Sequence, residues 1–443
     1  MKECQKTMNQ ASTQGSLFSL TPFFLFIGLF LCSALFFSGT ISPLFSCMIA
    51  IMWSFFTFTN PTTLNKKAEL FVTGSAHPTV LAMCYIFIFS SVFTYVLKLI
   101  GGIAAAVNIS LHVIPTSLLL PGFFTVVSIF ATAIGTSMGA IAAFLPIGVG
   151  LAQTLGINPS LMAGIVVGGA MLGDNLSIIS DTTIASTQSV GARMTDKFKA
   201  NFLLVIPAFI LTNIVLLYKN LTSLSQFSPI VLEPVTSIEL LKTIPYLIII
   251  GLTLYGIDVI AVLIAGILTS SAIGIGLGMF SFAQSTQFIL SGLMADSSMI
   301  EVLVLALFVA GLAHIVEHNG GISYLLAKCS RHIKNKAQAE LSIALLTFIV
   351  NAAVAINTIA ILIAGPMAKH IGDQFDIPKK RNACLLDIAA CVCQGILPYA
   401  PQLLLAGSLA GVSSISIIPY LHYQWFMALV LLTSIGRTFY KSS

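Results

Sequence analysis

Apolar stretches of about 20 residues, the length at which a helix crosses a bilayer, recur along this chain from Thr21 onward. Of the 443 residues, 57% are apolar and 8% are charged, whereas soluble proteins carry roughly 25% charged residues. The alternation typical of outer-membrane β-strands is not evident. The sequence therefore predicts an all-α polytopic membrane protein whose solvent is the lipid bilayer. No clear cleavage pattern follows Thr21 to Phe37, so we interpret this stretch as a retained helix.

A constant offset of 220 residues relates features of the first half of the chain to features of the second half. Pro146 ends an apolar run after Gly135-Thr136-Ser137, and Pro366 ends one after Asn357-Thr358. The other matched features are Gly173-Asp174-Asn175 with Cys393-Gln394-Gly395, and the spans Thr79 to Leu99 and Phe202 to Tyr218 with Met299 to Asn319 and His422 to Thr438. Few residues are identical, so the halves share a pattern of elements rather than a sequence. Self-similarity of this kind indicates a duplicated architecture.

Each half contains three apolar spans, a segment rich in small residues, a helix interrupted by polar residues, and a last span. The predicted units are a first repeat at 1–220 with hairpin 122–156 and broken helix 161–190, an external linker at 221–242, and a second repeat at 243–443 with hairpin 341–369 and broken helix 382–411. If both small-residue segments are re-entrant hairpins, each half crosses the membrane an odd number of times, namely five. The two repeats then have inverted topology, a plan widespread among secondary transporters.

The basic residues favour hairpins over extra crossings, because cytoplasmic loops carry an excess of Lys and Arg. With hairpins and a cytoplasmic N-terminus, 16 of the 20 Lys and Arg residues lie on the cytoplasmic side. The cytoplasmic pieces are then the two termini, Asn60 to Pro78, Gly191 to Ala200, Gly320 to Glu340 and His370 to Arg381. We therefore expect a multi-pass protein of the inner membrane with both termini in the cytoplasm.

The segment from Gly173 to Thr183 places two carboxylates in an otherwise apolar helix. A carboxylate at the bilayer centre costs roughly 2.5 to 3.5 kcal/mol even on mild scales, so such groups face a cavity, a partner or an ion. Hard cations prefer oxygen ligands, and an unwound turn adds carbonyl oxygens. If the helix were continuous, Asp174 and Asp181 would lie on one face, two turns apart. The predicted cation- and proton-binding residues are Asp174, Asn175, Ser177, Asp181, Thr182, Thr183, Thr136 and Ser137, with Asp174 and Asp181 as the Na⁺ carboxylates.

A desolvated carboxylate can exchange a cation for a proton at one site, because desolvation strengthens its hold on the proton. Such an exchanger requires no bound cofactor, and Na⁺ and H⁺ are the expected transported ions. The chain contains no Gly-Lys dipeptide, so a P-loop ATP motor is excluded. Its basic residues are scattered between apolar spans, so we expect no nucleic-acid partner.

The interruption in the second half carries one carboxylate, and amides dominate it. Amides both donate and accept hydrogen bonds, as an organic solute that has lost its water requires. The residues predicted for this solute site or second site are Asn357, Thr358, Asp387, Gln394 and Gln402. A purely structural role for these amides stays open. His314 and Glu317 near a helix end are explained by snorkelling or, alternatively, by a proton relay.

The segment Gly135-Thr136-Ser137-Met138-Gly139 fits the G-x-S-x-G pattern of serine hydrolases. That pattern requires a strand before the serine, whereas apolar helix flanks it here on both sides. We therefore interpret the glycines as residues that permit a tight turn beside the ion site.

With these motifs the chain resembles the NhaC-type sodium/proton antiporter family of the ion transporter superfamily. The resemblance depends on Gly135-Thr136-Ser137 before Pro146, on Gly173-Asp174 to Ser180-Asp181-Thr182-Thr183, and on Leu386-Asp387 to Gln394-Gly395-Ile396-Leu397-Pro398-Tyr399. It implies inverted repeats, hairpins that meet broken helices near the midplane, sodium-coupled transport and a homodimer.

Carried over by this resemblance, Asp174 and Asp181 are expected to bind the cation and the proton, with Thr136, Ser137 and Thr182 in support. The second-half motif also resembles a branch that includes amino-acid transporters. The sequence therefore predicts a secondary transporter that exchanges sodium for protons by alternating access. Sodium-coupled uptake of an amino acid or small carboxylate is the alternative.

Overall fold

The computed structural model describes residues 16–36, 42–58, 62–223, 234–294, 297–324 and 333–442, and within them every regular element is helical. Part of the predicted linker 221–242 lies outside the described residues. So do four of the basic residues counted above, namely Lys2, Lys6, Lys328 and Arg331.

The helices of the first half are α1 (Thr21–Phe36), α2 (Pro43–Ser54), α3 (Leu64–Ser75), α4 (Pro78–Leu99), α5 (Gly102–Val113), α6 (Leu119–Ile134), α7 (Ser137–Leu155), α8 (Pro159–Leu176), α9 (Asp181–Val190) and α10 (Met194–Ser223). Those of the second half are α11 (Ser237–Leu254), α12 (Val259–Gly276), α13 (Phe282–Met294), α14 (Ser297–His318), α15 (Lys336–Val354), α16 (Asn357–Gln374), α17 (Lys379–Ile396), α18 (Pro401–Ala410), α19 (Ser414–Ile417) and α20 (His422–Ser442).

Ten helical segments of the described chain are long and apolar enough to span a membrane, or eleven if the bent pair α19 and α20 counts as one span. The broken helices α8–α9 and α17–α18 each count as one segment of 32 residues. α2, in the second of the predicted apolar spans, has only 12 residues, which at 1.5 Å per residue give about 18 Å. That length is less than the roughly 30 Å of a bilayer core.

Proline and glycine fix several of these helix boundaries. Proline begins α8 at Pro159 and α18 at Pro401, where its missing N–H costs no helical hydrogen bond. Glycines with positive φ end α6 at Gly135, α7 at Gly156 and α9 at Gly191. These sharp stops produce short helices that turn back within the molecule.

α6 and α7 form an antiparallel hairpin that packs along α8. Gly173 faces Ala131, whereas the hydroxyl of Ser137 donates to the carboxylate of Asp174. Farther from the tip, Gly148 of α7 lies against Met162 of α8. α6 therefore runs parallel to α8 and α7 runs antiparallel to it, so the tip of the hairpin lies at the C-terminal end of α8.

The same arrangement occurs in the second half with α15, α16 and α17. Asn351 of α15 donates to the carbonyl of Ala390, and Gln394 of α17 donates to that of Ala355. Asn382 of α17 donates to the carbonyl of Ala368 in α16. The tip of this second hairpin thus lies at the C-terminal end of α17.

The boundaries of these elements repeat at the offset of 220 residues. α8 at 159–176 corresponds to α17 at 379–396, and α9 at 181–190 corresponds to α18 at 401–410. Residues with positive φ recur at the same offset, in the pairs Gly135 with Ala355, Gly156 with Asp376, and Gly191 with Gly411. The recurrence in the sequence therefore has a counterpart in backbone conformation.

One basic residue of the predicted cytoplasmic segment 191–200, Lys197, does not lie in an exposed loop. Lys197 lies in the first turn of α10, is fully buried, and pairs with Asp387. The prediction that Lys197 is a cytoplasmic loop residue is wrong, because its ammonium group pairs with a buried carboxylate and does not face the cytoplasm. Arg193 and Lys199 of the same segment are exposed.

Candidate functional site

The first helix break lies between α8 and α9, at residues 177–180. Ser180 begins α9 by accepting a hydrogen bond from the backbone N–H of Thr183 at 3.2 Å. The hydroxyl of Thr183 donates to the carbonyl of Ser177 at 2.7 Å, and that of Ser180 donates to the carbonyl of Asp174 at 3.1 Å. Hydroxyl groups thus satisfy carbonyls that the break leaves without helical partners.

Asp174 lies in the last turn of α8 and is buried, with 2% of its surface exposed. The hydroxyl of Ser137, at the start of α7, donates to its Oδ2 at 2.7 Å. Its Oδ1 is also buried and has no hydrogen-bond partner in the described residues, and the same is true of Oδ1 of Asn175. Buried oxygens without donors are costly, and a bound cation or proton would compensate them.

Asp181 is the first residue of α9 and is exposed. Its Oδ2 accepts a hydrogen bond from the hydroxyl of Thr358, the second residue of α16, at 2.9 Å. The alternative of a continuous helix with Asp174 and Asp181 on one face is wrong, because α8 ends at Leu176 and α9 begins five residues later, at Asp181. Asp174 is therefore buried, whereas Asp181 is exposed.

A buried ion pair joins the first half to the second. Nζ of Lys197 lies 2.9 Å from Oδ2 of Asp387, and the two side chains are 1% and 0% exposed. Lys197 also donates to the hydroxyl of Thr183 at 2.6 Å. Asn201, one turn along α10, donates both to Oδ2 of Asp387 and to the carbonyl of Asn175, each at 2.7 Å. The ammonium is therefore held between the first break and α17.

The glutamines of the second break form a chain of hydrogen bonds that ends at Asp174. Nε2 of Gln394 donates to Oε1 of Gln402 at 2.9 Å, and Nε2 of Gln402 donates to Oγ of Ser137 at 3.2 Å. Ser137 in turn donates to Asp174. Gln394 also donates to the carbonyl of Ala355 at 3.0 Å. These amide donors are thus engaged within the protein.

The other predicted site residues lie close to this network. Thr182 is fully buried, with its hydroxyl 3.1 Å from that of Ser180. The amide of Asn357 points towards the sulfur of Cys391 at 4.0 Å. Thr136 immediately precedes α7, with no side-chain capping bond. The structure therefore brings the two predicted groups of residues together in one hydrogen-bonded cluster.

Sequence reasoning missed Lys197, Asn201 and Tyr423, whose hydroxyl accepts from Nδ2 of Asn175 at 2.8 Å. A signal was present in the spacing of Lys197 and Asn201, because residues four apart on a helix share a face. Tyr423 carries no such signal, since an aromatic residue in an apolar helix is ordinary.

Within the described part of the chain, no three His, Cys, Asp or Glu side chains come together as a metal centre. A cation would instead rely on carboxylate, amide and carbonyl oxygens, as Na⁺ does.

A family model of the Na⁺/H⁺ antiporter family matches residues 9–221 and 202–441 of this chain. The matches cover nearly the whole sequence. The chain belongs to the Na⁺/H⁺ antiporter family. It is a multi-pass membrane protein, and the predicted resemblance to NhaC-type antiporters is confirmed.

Relatives of this chain are named for different transport activities. The Na⁺/H⁺ antiporter NhaC of Alkalihalophilus pseudofirmus is 25% identical over 76% of this chain and 79% of its own length. The malate-2H⁺/Na⁺-lactate antiporter of Bacillus subtilis is 22% identical over 76% of this chain and 77% of its own. The arginine/ornithine antiporter ArcD of Halobacterium salinarum is 23% identical over 71% and 70%, respectively.

Proposed function

We propose that this protein exchanges Na⁺ for H⁺ across the membrane, with Asp174 as the carboxylate that binds either ion. The observation that carries the proposal is the arrangement of this carboxylate, buried at a helix break with Ser137 on one oxygen and no partner on the other. A cation or a proton can occupy the free oxygen, but a desolvated carboxylate gains little from both at once. Competition of this kind couples the two ions.

Asp181 is proposed to bind the ion before it passes to Asp174. Asp181 is exposed at the start of α9, while Asp174 is buried in the last turn of α8. The oxygens of Asn175, Ser177, Thr182 and Thr183 surround the break between them and would complete the coordination of Na⁺, with Thr136 and Ser137 at the hairpin tip.

We further propose that the two halves are inverted repeats that move relative to the membrane in alternating access. The repeated boundaries support the duplication. The direction of α8 and α17 supports the inversion: Gln424 lies against Gly168 and Gly395, while Asn201 bonds Asn175 and Asp387. From Gln424 towards Asn201, the residue number rises from 168 to 175 in α8 but falls from 395 to 387 in α17. The two helices are therefore antiparallel. Cytoplasmic termini and a homodimer are parts of the same proposal.

Sodium-coupled movement of an amino acid or small carboxylate is the second candidate function. Relatives that exchange malate, lactate, arginine or ornithine according to their names support it. The N-termini of α7, α9, α16 and α18 also meet at the site through Ser137, Asp181, Thr358 and Gln402. Such positive helix ends stabilise an anionic group, although the engaged amides leave few donors for a solute.

The test uses purified protein in liposomes that contain a pH-sensitive dye. A Na⁺ gradient should drive proton movement in the unmodified protein and should not do so in Asp174→Asn. Asp373→Asn, which changes an exposed aspartate on α16, serves as the matched control and should remain active. Absence of Na⁺-driven proton movement in the unmodified protein, together with Na⁺-dependent uptake of a labelled amino acid or dicarboxylate, would replace the first candidate by the second.

A further inference from the structure

α14 presents one face to three cavities that follow one another along its length. The cavity near its N-terminal end has a volume of about 420 Å³ and touches Glu301, Val302 and Leu305. The next, of about 20 Å³, touches Ala306, Val309 and Ala310. The last, of about 110 Å³, touches Ala310, Ala313, His314 and Glu317. These positions recur every three or four residues, so they form a single stripe on the helix.

The opposite wall of these cavities belongs to the second hairpin and the second broken helix. Leu404 and Gly407 of α18 line the first cavity, and Tyr399 and Pro401 at the break line the middle one. Val354 and Ile356, on either side of the hairpin tip, line both the middle and the last cavity. Because neighbouring cavities share or adjoin their lining residues, they form one seam between α14 and the second half of the site.

The seam is wide at both ends and closed in its middle. Glu301 and Glu317 are 16 residues apart on α14, or about 24 Å along the helix axis. The middle cavity of about 20 Å³ has room for roughly one water molecule. There Tyr399 is held by its hydroxyl, which donates to the carbonyl of Ala352 at 2.8 Å, and by edge contacts with Phe23, Phe26 and Phe30 of α1.

Each wide end contains a carboxylate. Glu301 accepts a hydrogen bond from the hydroxyl of Ser42, which precedes α2. At the other end, Glu317 lies 3.9 Å from Nδ1 of His314, and His77 borders the same cavity. Carboxylates at the mouth of a passage attract cations from solution.

From this geometry we infer that the seam along α14 is the path of the transported cation, with Glu301 and Glu317 at opposite mouths and Tyr399 at the closed middle. The inference rests on the proposed Na⁺ exchange and adds the route by which Na⁺ reaches the break from each side. At its narrowest point the seam reaches Pro401, the neighbour of Gln402, which bonds Ser137 beside Asp174. The path therefore passes the second break on its way to the site.

Single cysteines in a cysteine-depleted variant test the two mouths. Thr73→Cys lies at the Glu317 end and Val412→Cys at the Glu301 end. A membrane-impermeant cationic methanethiosulfonate reagent should modify each from one face of the membrane only, with the two faces opposite, and should slow Na⁺ exchange in both cases. Thr132→Cys, in a cavity of about 150 Å³ between α6, α8 and α10, is the control whose modification should leave exchange unchanged.

Glu301→Gln and Glu317→Gln should each raise the KM for Na⁺ by about three- to tenfold when Na⁺ is added at that mouth, with the maximal rate kept. Glu301→Asp and Glu317→Asp retain the charge and should restore the KM, which separates attraction from damage to the fold. Reaction of both cysteines from the same face, or modification without any effect on exchange, would overturn the inference. If the unmodified protein shows no Na⁺ exchange, the proposed function fails instead, while the sidedness of labelling still reports on the seam.

Discussion

The two helix breaks occupy equivalent positions in the chain but differ in chemistry. The first, around Asp174 and Asp181, is built from carboxylates and hydroxyls, and two buried oxygens there lack partners. The second, around Gln394 and Gln402, is built from amides whose donors bond the first break and its own hairpin. The carboxylates of the proposed ion site therefore lie at the first break, whereas the second break contributes amides that bond to it.

The contacts between the halves show how the second frame serves the first. Gln402 bonds Ser137, and Thr358 bonds Asp181. Shifted by 220 residues, the Gln402–Ser137 contact falls at residues 182 and 357, next to the Asp181–Thr358 contact. The same type of contact therefore occurs twice. In each case the second helix of one half's hairpin begins at a hydrogen bond with the broken helix of the other half.

The largest expected effect on stability concerns the buried ion pair of Lys197 and Asp387. This pair has no charged counterpart in the other half. The equivalent positions are Val167 and Ile417, which are both buried. Lys197→Ile or Asp387→Val alone leaves one buried charge unpaired and should destabilise the protein by about 3–5 kcal/mol. The double variant carries the apolar pair found at the equivalent positions and should recover most of that stability. Thermal unfolding of the detergent-solubilised protein, followed by loss of the monodisperse peak, gives the comparison.

Equal losses in the double variant and in the sum of the two single variants would contradict a direct interaction between the two charges. The surface ion pair of Lys66 with Glu69 offers a control, since its partners are 51% and 63% exposed. Its disruption should change stability by less than about 1 kcal/mol.

The all-helical, membrane-spanning architecture could be predicted from the sequence, whereas contacts between distant residues could not. Proline, glycine and interrupted apolar runs are local signals, and helix breaks occur between α8 and α9 and between α17 and α18. The pairing of Lys197 with Asp387 connects residues 190 positions apart, and no local pattern encodes such a contact. For the same reason, the sequence predicted Gln394 and Gln402 for a solute site or second site but did not give their hydrogen bonds to Ser137 and to each other.

An intermediate effect is expected for Gln402→Ala, which removes the hydrogen bond to Ser137. Ser137 would still donate to Asp174 but would lose a neighbour that orients it, at a cost of about 1 kcal/mol. The KM for Na⁺ should therefore rise by about fivefold to tenfold in liposome exchange assays, with little change in stability. Gln374→Ala, on the exposed end of α16, should leave the KM unchanged. An unaltered KM in Gln402→Ala, combined with loss of amino-acid uptake, would assign the amides to an organic solute after all.

The smallest effect is expected at Ala355, whose hairpin-tip position is equivalent to that of Gly135, with φ of 56° against 79°. A residue with a Cβ is strained in this left-handed region by about 1 kcal/mol relative to glycine. At Gly135 a Cβ would also meet Cγ1 of Ile179 at 2.7 Å, so Gly135→Ala should destabilise the protein by about 1–3 kcal/mol. Ala355→Gly relieves the strain but gives the unfolded chain more freedom, which offsets up to about 1 kcal/mol. We therefore expect Ala355→Gly to change the free energy of unfolding by no more than about 0.5 kcal/mol, as measured by thermal unfolding. A loss at Ala355→Gly as large as that at Gly135→Ala would mean that the second tip is held by contacts of the Ala355 methyl group, and the tips would then not be equivalent in their energetics.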